Sequence, residues 1–102
     1  MIRVSVLYPP SSKFDQDYYI NNHMKMVAEK CGPALIRFEV DKGLQGAMPG
    51  SPAPYAAAGH LYFNSVPEFA AAFAPHAGAI MADLPNYTDS RPEIQISEIV
   101  SG

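Results

Sequence analysis

Hydrophobic and polar residues alternate in three stretches of the chain, and this two-residue period is typical of β-strands with one buried face. The three stretches are residues 2–8, residues 34–42 and a last one around Ile94 and Ile96. A fourth stretch, residues 55–64, is apolar almost throughout, which is typical of a strand covered on both faces. The pattern therefore predicts four strands.

Between the first two strands, hydrophobic residues recur with the period of an amphipathic helix. Asp15 is placed to cap the start of this helix, and Gly32-Pro33 is placed to end it, the glycine as a left-handed cap. The predicted apolar stripe consists of Ile20, Met24, Val27, Ala28 and Cys31.

A second helix is predicted after the third strand. The segment Ser65-Val66-Pro67-Glu68 has the form of a capping box, which marks a helix start. Pro75 should interrupt the helix, which then resumes through Leu84. Residues 43–54, rich in glycine and proline, are expected to form a long exposed loop.

The predicted order of elements is β-α-β-β-α-β, which indicates a ferredoxin-like fold. One four-stranded antiparallel sheet would carry both helices on one face, and residues 1–102 would form a single α+β domain. The other face of the sheet needs a cover for apolar residues such as Leu7, Leu35 and Tyr62. Two copies that place their sheets face to face would supply it, so we expect a homodimer.

Composition and charge limit the classes of function. The chain has 102 residues, of which 48% are hydrophobic, and a formal net charge of -3 without a cluster of lysine and arginine, so nucleic-acid binding is excluded. There is no signal peptide pattern and no run of about 20 apolar residues, which predicts a soluble, cytoplasmic protein with no membrane contact. The single cysteine, Cys31, agrees with a reducing compartment and is expected to be a small buried structural residue.

The segment from Phe14 to Met24 contains the side chains best suited to move protons at neutral pH. Tyr19 and His23 lie one helical turn apart, at the edge of the predicted buried face. A histidine there could act as an acid or base, because its ordinary pKa is about 6.5. The alternative is that His23 only braces the edge of the core.

Other candidates are spread along the chain. Tyr8, Tyr62 and Tyr87 carry phenols that could orient or protonate a ligand oxygen, or could only pack. Strand alternation places His60 on the face of Tyr62, where the two could share a cavity or play a structural part. Asp83 could be a general base or a hydrogen-bonding turn residue.

The sequence contains no recognised metal or cofactor motif. Its histidines lack the spacings H-x-x-x-H and H-E-x-x-H, and no G-x-G-x-x-G or P-loop follows a strand. We therefore expect no metal and no flavin or nicotinamide, and the methionines are expected to line apolar space.

Four ordered motifs that span nearly the whole chain resemble the EthD family, which is named for ethyl tert-butyl ether degradation. They are Leu7-Tyr8-Pro9, Phe14-Asp15-x-x-Tyr18-Tyr19-x-x-x-His23, Leu61-Tyr62-Phe63 and Met81-Ala82-Asp83-Leu84-Pro85-Asn86-Tyr87. The chain departs from the family pattern after the helix histidine. A proline commonly follows there in the family, and this chain has Met24-Lys25-Met26 instead. The resemblance implies a dimeric α+β barrel, an architecture shared with muconolactone isomerases and small cofactor-free monooxygenases. EthD proteins accompany oxidative degradation systems, and many are described as oxidoreductases.

Residue pattern and resemblance together predict a homodimer that binds a small apolar or aromatic, oxygen-bearing molecule between the first helix and the sheet. His23, Tyr19 and Tyr8 are the predicted catalytic residues, and the predicted substrate-binding residues are Tyr18, Tyr62, His60, Asp83 and Tyr87. The expected chemistry is proton transfer without a cofactor, such as isomerisation or dehydration, or an accessory step in oxidative catabolism. The alternatives are an EthD-type reductase or monooxygenase, and a non-catalytic ligand-binding dimer.

Overall fold

The computed structural model describes residues 1–102 and contains one four-stranded antiparallel sheet. Its strands lie in the order β2-β3-β1-β4. Their bounds are β1 Ile2–Tyr8, β2 Arg37–Lys42, β3 Ala57–Phe63 and β4 Glu93–Glu98. The predicted βαββαβ order and ferredoxin-like fold are confirmed.

The helices pack on one face of this sheet. Helix α1 covers residues 16–31 in three consecutive segments: α-helical Gln16–Tyr18, π-helical Tyr19–Met24 and α-helical Lys25–Cys31. Helices α2 (Val66–Phe73) and α3 (Ala77–Ala82) are separated by the 3₁₀ turn Ala74–His76, so the interruption predicted at Pro75 is confirmed.

The hydrophobic core lies between the helices and the adjacent sheet face. Strands β1 and β3 alternate toward it, and α1, α3 and the segment after α3 close it from the other side. The largest fully buried side chains of the core are Val4, Tyr8, Tyr19, Phe63 and Tyr87. Three of these five are tyrosines, so hydroxyl groups lie inside an otherwise apolar interior.

The predicted apolar stripe of α1 is wrong at Ile20, which is 43% exposed. A π-helical turn accommodates one more residue than an α-helical turn, so the residues before it are rotated relative to a continuous α-helix. This rotation brings Tyr19 into line with Val27 and Cys31, which are all buried. Tyr19 and His23 therefore lie within the buried face and not at its edge as predicted.

The end of α1 also differs from the prediction. Gly32 has φ 64° and ψ -149°, which is a positive-φ conformation suited to glycine but not the left-handed helical cap that was expected. The segment Gly32–Ala34 then forms a 3₁₀ turn, so β2 begins at Arg37 and not at residue 34. Cys31 is buried as predicted, at 6% exposure.

The face of the sheet without helices is more polar than predicted. Strand register places Arg3, Ser5 and Leu7 of β1 on this face, beside Tyr62 and His60 of β3. Tyr62 is already buried within the single chain, at 4% exposure.

On the helix side, edge strand β4 is poorly covered. Ile94 and Ile96 pair with Val6 and Val4, and yet they are 54% and 43% exposed. No helix in the chain has both the length and the apolar character needed to cross a membrane.

Candidate functional site

Helix α1 brings Tyr19 and His23 to the centre of a candidate site. The Asp15 carboxylate caps the helix by accepting a hydrogen bond from the Tyr18 N–H at 3.0 Å, as predicted. The π-helical turn that follows buries Tyr19 and His23 to 1% and 3% exposure. Their rings stack at a centroid distance of 5.5 Å and an interplanar angle of 15°. Single-turn π-helical segments are frequent at functional sites.

Asp83 fixes the orientation of the His23 ring. Its Oδ2 lies 2.9 Å from His23 Nδ1, and its Oδ1 accepts hydrogen bonds from the Tyr18 hydroxyl at 2.7 Å and from Asn86 Nδ2 at 2.8 Å. Burial alone would raise the pKa of the Asp83 carboxyl, but the hydrogen bonds from Asn86, Tyr18 and His23 together lower it below its usual value. Asp83 is therefore an anion at neutral pH.

The charge of Asp83 determines which nitrogen of His23 carries the proton. Because an ionised carboxylate only accepts hydrogen bonds, Nδ1 must donate to it. Burial lowers the pKa of His23 below its ordinary value of 6.5, and this effect outweighs the opposing effect of Asp83. At pH 7 the ring is mostly neutral, with the proton on Nδ1 and a lone pair on Nε2.

The Nε2 atom of His23 makes no hydrogen bond within the chain. No polar side-chain atom is fully buried without a hydrogen-bond partner, so Nε2 keeps some accessible surface. His23 lines a cavity of about 40 Å³ between α1, α3 and the sheet. This volume exceeds what one water molecule needs.

The cavity wall is mostly apolar, and no lysine, arginine, aspartate or glutamate belongs to it. Its residues with polar side-chain atoms are His23, Tyr8 and Tyr19. Two unbranched side chains, Met24 and Met81, belong to the wall, and Met81 is 46% exposed, so the wall can adapt to a ligand larger than the empty space.

A group of aromatic residues surrounds the cavity. The hydroxyls of Tyr8 and Tyr87 are 2.8 Å apart, and the Tyr87 ring lies 4.7 Å from the ring of His23, measured between centroids. Phe14 contacts Tyr8 and Tyr19 edge-on. The rings hold His23 and Tyr19 in one arrangement, which favours a preorganised site.

The structure divides the predicted site residues into three groups. Tyr8, Tyr19 and His23 line the cavity. Tyr18, Asp83 and Tyr87 form the hydrogen-bonded and aromatic layer around them. Tyr62 and His60 do not belong to this site, because the strand register points them to the opposite face of the sheet.

The placement of Tyr62 and His60 near the other candidates was therefore wrong. His60 and Tyr62 share one face of the sheet, as predicted. That face lies away from α1, because side chains along a strand alternate between the two faces. The Tyr62 hydroxyl donates to Glu39 at 2.7 Å, while His60 bonds to Asp41 at 2.8 Å and to Ser5 at 3.2 Å.

Sequence reasoning missed two residues of the site. Gly59 lies under the Tyr19 hydroxyl, which would overlap a Cβ atom at this position. A lone glycine inside an apolar strand was the available signal, because it often marks a close approach by another group. Asn86 holds Asp83, and its place beside the predicted Asp83 turn was a weaker signal.

No group of three or more histidine, cysteine, aspartate or glutamate side chains is arranged to hold a metal ion. The one pairing of a histidine with a carboxylate at the cavity is that of His23 with Asp83. The arrangement can accept and return a proton at Nε2 and can donate hydrogen bonds from phenols.

The fold and the site define a ferredoxin-like α+β protein in which a histidine, bonded to an aspartate behind it, lines an apolar cavity between helix and sheet. The model of the EthD domain matches residues 9–91, which is most of the chain. The chain thus belongs to the EthD family, and the resemblance seen in its motifs is confirmed.

One solved structure supports this assignment, and two more distant ones share the fold. The chain is 39% identical to an EthD-like protein from Ralstonia eutropha, with a TM-score of 0.92 over 98% of this chain and 92% of that one. An EthD family protein from Bacillus halodurans is 18% identical, with a TM-score of 0.68 over 96% of this chain and 97% of that one. A dimeric protein of ferredoxin-like fold from Bacteroides fragilis is 15% identical, with a TM-score of 0.55 over 95% of this chain and 94% of that one. No curated protein matches the chain.

Proposed function

We propose that this EthD family member catalyses proton transfer on a small, largely apolar, oxygen-bearing molecule, with His23 Nε2 as the acid or base. One observation carries the proposal. Nδ1 of His23 is committed to an ionised aspartate, which leaves a basic nitrogen at the wall of an apolar cavity. A neutral imidazole can accept a proton at pH 7 and return it in a later step.

The surrounding residues have supporting roles in this proposal. Asp83 is a positioning residue that sets the tautomer of His23, and Tyr18 and Asn86 hold its carboxylate in place. Tyr8 and Tyr19 supply hydrogen bonds to the oxygen of the ligand. The reaction class is isomerisation or dehydration, in which Nε2 removes a proton from carbon and the imidazolium returns it elsewhere, without an oxidant.

We further propose that the protein acts as a homodimer joined through the faces of its sheets that carry no helices, which we call the open faces. The face carries arginines and acidic residues together, including Arg3, Arg37, Glu39 and Asp41. Opposite charges on one face allow two copies to complement each other across a two-fold axis. The Bacteroides fragilis structure, which shares the fold, is described as dimeric.

Proton exchange from carbon acids tests the catalytic proposal. Wild-type protein in D₂O should accelerate deuterium uptake by at least one member of a panel of small neutral ketones and lactones, followed by proton NMR. The variant His23→Gln should lose this activity. His76→Gln is the matched control, because His76 lies on the turn between α2 and α3, outside the network of Asp83.

A specific observation favours non-catalytic binding as a second candidate. His23 joins α1 to the segment after α3 through Asp83 and packs between Tyr19 and Tyr87, which is what a structural brace would do. If the panel binds but shows no exchange, and His23→Gln weakens binding only in proportion to lost stability, His23 is a brace and the catalytic proposal is wrong.

A further inference from the structure

Three tyrosine hydroxyls near the cavity differ in what they bond to. The hydroxyls of Tyr87 and Tyr8 are 2.8 Å apart and share a hydrogen bond. The hydroxyl of Tyr19 lies against Gly59 and makes no hydrogen bond within the chain. Tyr87 is fully buried and does not belong to the cavity wall, whereas Tyr8, Tyr19 and Gly59 do.

The hydrogen-bond partners decide which phenol is free to donate. The hydroxyl of Tyr87 has Tyr8 as its one hydrogen-bond partner, so it must donate to Tyr8, since otherwise its own hydrogen would be buried without an acceptor. No polar side-chain atom is fully buried without a partner, so the unbonded hydroxyl of Tyr19 keeps accessible surface. Tyr19 and Gly59, which this hydroxyl contacts, both line the cavity, so Tyr19 is the phenol whose hydrogen is available there.

The three phenols remain protonated at neutral pH. Burial is the main reason that the pKa of Tyr8, of Tyr19 and of Tyr87 lies above its ordinary value. The Tyr19 hydroxyl is thus a neutral donor.

The cavity therefore offers one acceptor and one donor, both uncharged. The acceptor is the lone pair of His23 Nε2, and the donor is the hydroxyl of Tyr19. No cationic side chain lines the wall, so a carboxylate or phosphate that entered would lose its hydration without gaining a counter-charge.

We propose that the ligand is an uncharged carbonyl compound with a proton on the carbon next to the carbonyl, a proposal that rests on the acid/base role of His23. The phenol binds the carbonyl oxygen, and Nε2 faces the adjacent C–H bond. When that bond breaks, its electron pair forms a C=C bond, the carbonyl π electrons move to oxygen, and the proton stays on Nε2. Return of the proton to oxygen or to another carbon completes an isomerisation in which nothing is oxidised or reduced.

Three ligands of similar size test the substrate class. Acetophenone has the carbonyl, benzoate has a carboxylate in its place, and ethylbenzene has no oxygen. Binding to wild-type protein is measured by calorimetry or by ligand-observed NMR at pH 7. Acetophenone should bind at least ten times more tightly than benzoate or ethylbenzene. Equal affinity for benzoate, or no binding of acetophenone, would overturn the proposal.

Removing the donors gives a second measurement that does not depend on turnover. The carbonyl stretching frequency of bound ¹³C-labelled acetophenone should fall relative to the free ligand, because a hydrogen bond weakens the C=O bond. The double variant Tyr8→Phe/Tyr19→Phe, or Tyr19→Phe alone if the double variant does not fold, should reduce this shift and the preference over ethylbenzene. Tyr55→Phe is the control, since this phenol donates to Glu93 on the surface. An unchanged shift in both phenol variants would show that neither hydroxyl contacts the ligand.

The variant His23→Gln separates the proposal of carbonyl recognition from the proposal that His23 is the acid or base. It should lose deuterium exchange and retain the preference for acetophenone. A wild-type protein that binds acetophenone selectively but exchanges no protons would contradict the catalytic role of His23 and leave carbonyl recognition supported. Exchange that depends on His23, together with benzoate affinity equal to that for acetophenone, would support the catalytic role and contradict carbonyl recognition.

Discussion

At the scale of single residues, the site depends on how His23 is held. The Tyr19 and Tyr87 rings pack against it, and Asp83 binds its Nδ1 atom at 2.9 Å. The sequence predicts His23 and Tyr19 because they are close along one helix. It could not predict that Asp83 binds His23, because the two are 60 positions apart and meet only when the chain folds.

The variant Asp83→Asn tests the role of the carboxylate. An asparagine can turn its NH₂ group toward Nδ1, which would move the ring proton to Nε2 and remove the base from the cavity. We expect proton exchange to fall about 10²–10⁴-fold, the usual contribution of general acid–base catalysis, with little change in stability. The exchange assay and thermal unfolding measure the two effects. Asp89→Asn is the control, because it changes an exposed carboxylate outside the site and should leave the rate of proton exchange unchanged. A wild-type rate of exchange in Asp83→Asn would show that the tautomer of His23 is irrelevant.

Stability should also depend on pH through His23. Its pKa in the folded state lies below 6.5, so as the pH falls below 6.5 the unfolded chain binds a proton that the folded chain does not. The free energy of unfolding should therefore decrease as the pH is lowered from 7.5 to 5.5, as measured by urea denaturation. His23→Gln should show a shallower dependence than wild type, and His76→Gln should retain the wild-type slope. Identical slopes in all three proteins would contradict the lowered pKa.

Gly59 should be needed because of the Tyr19 hydroxyl above it. In Gly59→Ala the new methyl group would overlap that oxygen, and overpacking of this kind typically costs about 1–3 kcal/mol. Tyr19→Phe removes the oxygen, so adding it to Gly59→Ala should recover much of the loss. Denaturation of the two single variants and the double variant gives the coupling energy. Additive effects would mean that the two groups do not touch.

At the scale of elements, the predicted helices and strands agree with the structure except where backbone geometry departs from the regular period. The N-cap Asp15 and the break at Pro75 were predictable because side chains at those positions act locally. The π-helical turn Tyr19–Met24 was not, since the apolar stripe was counted with one fixed period through α1. For that reason Ile20 was assigned to the core and His23 to its edge.

Deletions in α1 test the π-helical turn. Removing Asn22 should convert the turn to regular α-helix while Tyr19 keeps its alignment with Val27, so stability should change by about 1 kcal/mol or less. Removing Glu29 from the α-helical segment should instead rotate Tyr19 and His23 by about 100° relative to Cys31 and cost about 4 kcal/mol or more. Circular dichroism and urea denaturation distinguish the two. Similar losses in both variants would contradict the role given to the turn.

At the scale of the whole molecule, the ferredoxin-like fold was predictable because the order of elements admits few topologies. The character of the open sheet face was not. Leu7 and Tyr62 suggested an apolar surface, but the register surrounds them with charged and hydroxyl groups from the neighbouring strands. One example is the Arg37 guanidinium, which lies 4.5 Å from the centre of the Tyr62 ring.

Sedimentation velocity tests the proposed dimer. Wild-type protein should sediment as a dimer at micromolar concentration, and Leu7→Glu should shift it toward monomer, because Leu7 lies on the open face. Val66→Glu is the matched control, since Val66 is exposed at the start of α2 on the opposite side. If Ile94→Glu yields monomer and Leu7→Glu does not, the copies meet along β4 and the sheet-face arrangement is wrong.

The hydrogen bond between Tyr8 and Tyr87 joins residues 79 positions apart, and β1 needs β4 as its neighbour in the sheet. A ribosome must therefore release the chain as far as β4 before the first strand can gain all of its partners. The site has no partial form during synthesis: a nascent chain that ends before Asp83 has His23 without its carboxylate. The complete site should consequently form in one step, after β4 is free to dock.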